Sequence, residues 1–117
     1  MAGPLTMEQI EELRKITTPT IINAIETFDI QPRNKGFMNP QIRCILPELG
    51  PMVGYAVTAK LVANEPAREE HEGLGHAMWK LILSTPAPRV VVIEDVDDPP
   101  CIGSMWGEVN GTIHKAL

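Results

Sequence analysis

No stretch of this sequence approaches the 18 or so consecutive apolar residues that a bilayer span requires. Its first residues, Met1 to Thr6, have neither a basic cluster nor an apolar run, so no secretory leader is expected and the cytoplasm is the expected compartment. Cysteine is scarce. Cys44 and Cys101 stand far apart and outside any C-x-x-C pair, which removes support for a zinc ribbon or a dithiol redox motif, and both read as ordinary thiols. Positive charge is also short: 10 Lys and Arg against 15 Asp and Glu leave a formal net charge of -5. Such a surface repels phosphate backbones on average, so neither nucleic acid nor a membrane is an expected direct partner. Arg33, Lys35 and Arg43 do gather, but apolar and turn residues separate them and they read as a solvated loop. Internal repeats and low-complexity tracts are lacking as well.

What is present suits one globular domain over residues 1–117, with 44% hydrophobic and 21% charged residues. A domain of this size buries a modest share of its surface and is often helped by association with other chains.

Thr6 followed by Met7, Glu8 and Gln9 fits a capping box, and Met7, Ile10, Leu13 and Ile16 then recur at near-helical spacing. Thr18 with Pro19 at the first helical position predicts a second helix, with a stripe of Ile21, Ile22, Ile25 and Phe28. From Asp29 to Pro51 the density of Pro and Gly leaves room for turns and a short strand near Ile42 to Leu46. Tyr55, Val57, Ala59 and Leu61 alternate with Gly54, Ala56, Thr58 and Lys60, the period of a half-buried strand. Glu69 to Leu83 predicts a helix with an acidic start and an apolar face of Leu74, Ala77, Met78, Leu81 and Ile82. Val90 to Ile93 is the continuous β-branched run of a strand covered on both faces. After the turn at Pro99, Pro100 and Gly103, Ser104 is a candidate cap for a last helix bearing Trp106, Val109, Ile113 and Leu117 on one stripe. Alternating helices and strands imply an α/β layered fold.

Three segments invite chemistry. His71-Glu72-Gly73-Leu74-Gly75-His76 resembles a zinc-protease H-E-x-x-H motif with one residue too many. Histidines five apart lie about 140° apart around a helix, so the pair cannot grip one ion, and a solvated helix start is the simpler reading. The acids from Glu94 to Asp98 suit a hard cation in principle, yet acidic strand ends are also common solvent-exposed termini. Their position at a strand's carboxyl end matters more, because open α/β sheets hold ligands there. The turn from Gly103 to Glu108 follows that strand and feeds a helix, whose unpaired N–H groups and dipole suit a small carboxylate. A plain turn is the alternative.

Ile16-Thr17-Thr18-Pro19-Thr20, Gly54-Tyr55-Ala56-Val57-Thr58-Ala59-Lys60 and Trp106-Gly107-Glu108-Val109-Asn110, in this order, resemble the RraA-like family over about Glu8 to Leu117. The resemblance implies a swivelling β/β/α domain that assembles as a homotrimer or hexamer with active sites between subunits. It also implies a lyase that uses Mg²⁺ or Mn²⁺ to cleave 4-hydroxy-4-methyl-2-oxoglutarate or 4-carboxy-4-hydroxy-2-oxoadipate, releasing pyruvate, and that decarboxylates oxaloacetate. Gly107, Val109 and Asn110 would then hold the pyruvate carboxylate through backbone amides, and the catalytic acid Glu108 would sit in the water shell of the metal. The family's Arg-Asp pair follows that acid by about twenty residues, whereas nine residues, 109–117, follow Glu108 here and none is Arg or Asp. The expectation is a domain truncated before its last βαβ elements, completed by a longer polypeptide or by another chain. Some RraA-like proteins are instead non-catalytic regulators that bind and inhibit an RNA-degrading endonuclease, and the sequence leaves that alternative open.

Overall fold

The computed structural model describes residues 4–100 and 102–117. They gather into two compact units, one ending at Val53 and the other beginning at Gly54.

In the first unit, helix α1 (Met7–Arg14) opens on the expected reciprocal capping box. Thr6 Oγ1 accepts from the Gln9 N–H at 3.2 Å and Gln9 Oε1 accepts from the Thr6 N–H at 2.8 Å, which satisfies two otherwise orphaned donors. Ile10 is its buried residue. Helix α2 (Thr18–Glu26) starts one residue earlier than its signal implied: Thr17 is the N-cap, and Pro19 lies inside the first turn, where a missing N–H costs nothing. Ile21, Ile22 and Ile25 are half-buried, but α2 stops at Glu26 and Phe28 is 72% exposed, so the stripe ends before it. The expected strand at Ile42 to Leu46 does not form. That stretch is irregular and leads into a 3₁₀ turn at Pro47–Leu49, because a strand needs a neighbour to satisfy its backbone and this unit contains none among the described residues.

The second unit runs β1 (Tyr55–Leu61), α3 (Leu74–Ser84), β2 (Arg89–Asp95), α4 (Glu108–Ala116). The two strands form a parallel sheet in register from Tyr55 opposite Arg89 to Leu61 opposite Asp95, so α3 is a crossover connection. Alternation along β1 is as expected: Val57 is buried while Ala56, Thr58 and Lys60 are exposed. Strand β2 is half-buried rather than covered on both faces, since the sheet has two strands and α3 packs against β1.

Helix α3 begins at Leu74, not Glu69. The separate 3₁₀ turn Glu69–His71 ends at the extended Glu72, and Gly73, at φ +77° in a left-handed conformation, is the N-cap from which the helix starts. The face it buries is carried by Met78, Trp79 and Ile82, while Leu74 and Leu81 remain exposed. Val57 and Ile82 are the buried apolar residues of this unit among the described residues.

Arg89 closes the opposite end of the sheet. Its Nε donates to the Thr85 carbonyl at 2.7 Å and its Nη1 to the Leu117 carbonyl at 2.6 Å. One guanidinium thus joins the exit of α3 to the carboxyl end of α4, where cations are favoured.

Candidate functional site at the carboxyl ends of the strands

Beyond Leu61 and Asp95 the two chains leave the sheet side by side. Val96 N–H still donates to the Leu61 carbonyl at 3.0 Å, and then Asp97 turns inward, 6% exposed. Both carboxylate oxygens of Asp97 accept from the Ala63 N–H at 3.0 Å, and Oδ1 also accepts from the Asn64 N–H at 3.3 Å. Its own N–H donates to Asp95 Oδ1 at 3.0 Å. A buried carboxylate is costly unless its lone pairs are satisfied, and here backbone donors from 34 and 33 residues away satisfy them. Asp97 is therefore a fastening between the strand exits.

The other acids of that run are employed separately. Glu94 lies across from Lys60 in the register, with Oε2 3.7 Å from Nζ and both side chains exposed, a pair worth little in water. Asp98 is exposed. Among the described residues no three His, Cys, Asp or Glu side chains converge as metal donors. His71 and His76 belong to different elements: His71 Nδ1 accepts from the Arg68 N–H at 3.4 Å, whereas the His76 ring meets Trp79 edge-on at 4.9 Å. An open cavity of about 500 Å³ lies past the end of β1, lined by Val62, Ala63, Pro66, His71 and Leu74.

The loop from Asp97 returns over the exit of β1 at Gly103. A Cβ built on Gly103 would stand 2.0 Å from the Ala63 Cβ, so the two loops cross at a distance only glycine permits. The chain then reaches Gly107, the N-cap of α4. Ser104 does not cap the helix; its Oγ donates to the Trp106 carbonyl at 3.3 Å. The first backbone bond of α4 runs from the Gly111 N–H to the Gly107 carbonyl at 2.8 Å. The amides of Glu108, Val109 and Asn110 have no partner among the described residues, and no side chain caps them. Nothing lies within 4 Å of a Cβ built on Gly107, so the N-cap itself is uncrowded.

The face of α4 differs from expectation. Trp106 precedes the helix and is 51% exposed, Val109 is 73% exposed, and the inward residues are Asn110, Ile113, His114 and Leu117. Hydrogen bonding explains the turn of the helix. Asn110 Nδ2 donates to the Met105 carbonyl at 2.7 Å, which draws its side chain in and leaves only its backbone amide for a ligand. His114 Nδ1 lies 2.7 Å from the Asn110 carbonyl, and its ring receives Trp106 edge-on at 4.8 Å. Glu108 is exposed and makes no ion pair among the described residues.

Gly107, Glu108, Val109 and Asn110 are thus brought together at one helix start, while the acids at 94–98 do not converge as metal donors, although Asp95 accepts from the Asp97 N–H. The roles of Asp97 and Arg89 escaped the sequence reading. For Asp97 the available signal was an acid two residues past one parallel strand, opposite the first free amides past its neighbour. Away from this site, Arg33 pairs with Glu26 at 2.8 Å through Nη2, and the Glu26 hydrogen bond followed by its charge raises the guanidinium pKa. Cys44 is exposed, and Cys101 lies outside the described residues. No helix among the described residues is long and apolar enough to cross a membrane.

Comparison with models of protein families, with curated proteins and with solved structures finds no match to this chain.

Proposed function

We propose that this chain carries the carboxylate-binding part of an RraA-like lyase. Such an enzyme cleaves 4-hydroxy-4-methyl-2-oxoglutarate or 4-carboxy-4-hydroxy-2-oxoadipate to release pyruvate and decarboxylates oxaloacetate. The observation that carries this reading is the start of α4: three consecutive uncapped amides, Glu108 to Asn110, behind an uncrowded glycine. A helix start of this kind binds a small anion through aligned N–H groups and the positive end of the dipole. Holding the carboxylate of a 2-oxo acid there fixes the orientation of the carbon that must accept electrons when the C–C bond breaks.

Glu108 is the carboxylate this chain offers to the water shell of Mg²⁺ or Mn²⁺ in the proposed enzyme. The donors among the described residues do not complete a ligand set around it. Assembly as a homotrimer or hexamer in the cytoplasm belongs to the same proposal.

Titration of ¹⁵N-labelled protein with pyruvate, and with oxalate as a planar analogue of the pyruvate enolate, tests the reading. Saturable shifts are expected at the amides of Glu108, Val109 and Asn110, and not with chloride at equal ionic strength. A response spread over the surface, or none at these three, would overturn it.

A further inference from the structure

Asp97 and Gly103 lie on the same loop, and both act on Ala63 of the other loop. Asp97 takes the amides of Ala63 and Asn64, and the bare Cα of Gly103 rests over the Ala63 side chain. From Gly103 three residues, Ser104, Met105 and Trp106, lead to Gly107, and Asn110 and His114 tie that short link back to α4 through Met105 and Trp106. The crossing is therefore joined to the start of α4 by one short segment that α4 itself holds at Met105 and Trp106.

We propose that this crossing, Asp97 and Gly103 against Ala63, positions the start of α4 and so sets its affinity for a 2-oxo acid, although none of the three residues touches the ligand. The inference rests on the carboxylate-binding reading given above. Its physical basis is that oriented dipoles bind an anion well only when held at fixed geometry, and residues behind the binding groups supply that geometry. Asp97 is a positioning residue in this account, and the requirement at 103 is steric.

The contact distances specify a compensating pair. Adding a methyl group at Gly103 forces it onto the Ala63 Cβ at 2.0 Å, but without that Cβ the next neighbours are the Ala63 Cα at 3.5 Å and Asp97 Oδ2 at 4.0 Å, both ordinary contacts. Gly103→Ala is therefore expected to weaken pyruvate and oxalate binding about tenfold, the scale found when residues supporting a binding group are lost. Adding Ala63→Gly should restore it. Asp97→Ala should weaken binding similarly, whereas Asp97→Asn keeps an oxygen able to accept from both Ala63 and Asn64 and should stay near the wild type.

The experiment is the same amide-detected titration on these variants, at a temperature well below each variant's melting point. Loss in Gly103→Ala with recovery in the double variant, and loss in Asp97→Ala with recovery in Asp97→Asn, is the expected pattern. Wild-type binding with unchanged affinity in Gly103→Ala and Asp97→Ala overturns this inference alone. Affinity that follows melting temperature across all variants, with no recovery in the double variant, overturns it too. Absence of binding by the wild type removes the carboxylate-binding reading, and this inference with it.

Discussion

Glu108 and Trp106 stand two residues apart and meet different fates, because α4 begins between them. Glu108 occupies the first turn with its carboxylate in solvent, where a negative charge is favoured by the helix dipole. Glu108→Ala should cost only about 0.3–1 kcal/mol of stability in urea melts. Trp106 was expected inside an apolar stripe, where truncation typically costs about 3–5 kcal/mol. With half its surface in water and one edge-on contact to His114, Trp106→Ala should cost roughly 0.5–1.5 kcal/mol instead. A loss as large as that of a core Trp would mean that the ring is buried in solution. Ile82→Ala, by contrast, removes one of the few fully buried side chains and should cost about 2–5 kcal/mol by the same measurement.

At the scale of elements, legibility followed the range of the forces involved. The capping box of α1 and the alternation of β1 arise from residues within a few positions of one another, and both are present where the sequence placed them. Thr6→Ala should accordingly cost about 0.5–2 kcal/mol, read as lost helicity and a lower urea midpoint. The face of α4 and the start of α3 were not legible, since Asn110 is drawn in by a carbonyl of the preceding loop and Gly73 adopts a left-handed turn that the acidic run before it does not announce. The strand expected at Ile42 to Leu46 failed for the same kind of reason: pattern without a partner does not make a ladder. For the candidate site, the glycine and the helix start were readable, whereas the fastening by Asp97 depends on a contact spanning 34 residues that no local pattern encodes. Arg89 is the parallel case at the other end of the sheet. Arg89→Lys should cost about 1–3 kcal/mol in urea melts, because one ammonium cannot reproduce the two divergent bonds to Thr85 and Leu117; an unchanged midpoint would show that those bonds add nothing.

For the molecule as a whole, the balance of buried and exposed apolar surface stands out. Ile10, Val57 and Ile82 are buried, while Phe28, Ile30, Ile45, Leu49 and Met52 are each more than 70% exposed. Apolar surface of this kind, where it is contiguous, is what association with other chains would cover. It supports the proposed homotrimer or hexamer, and light scattering coupled to size exclusion should give a mass well above one 12.9 kDa chain; a single-chain mass at every concentration would remove that support. The dispersed acids lead to a further expectation, that pyruvate release from 4-hydroxy-4-methyl-2-oxoglutarate by this chain with Mg²⁺ stays at background. Chelator-sensitive turnover would overturn it. The pairing of β1 and β2 has its own consequence. In each strand successive amides point to alternate sides, and only one side meets the other strand. Deuterium uptake along residues 56–60 and 90–94 should therefore alternate, slow at one residue and fast at the next, until some further chain is laid against the sheet and the fast set falls silent.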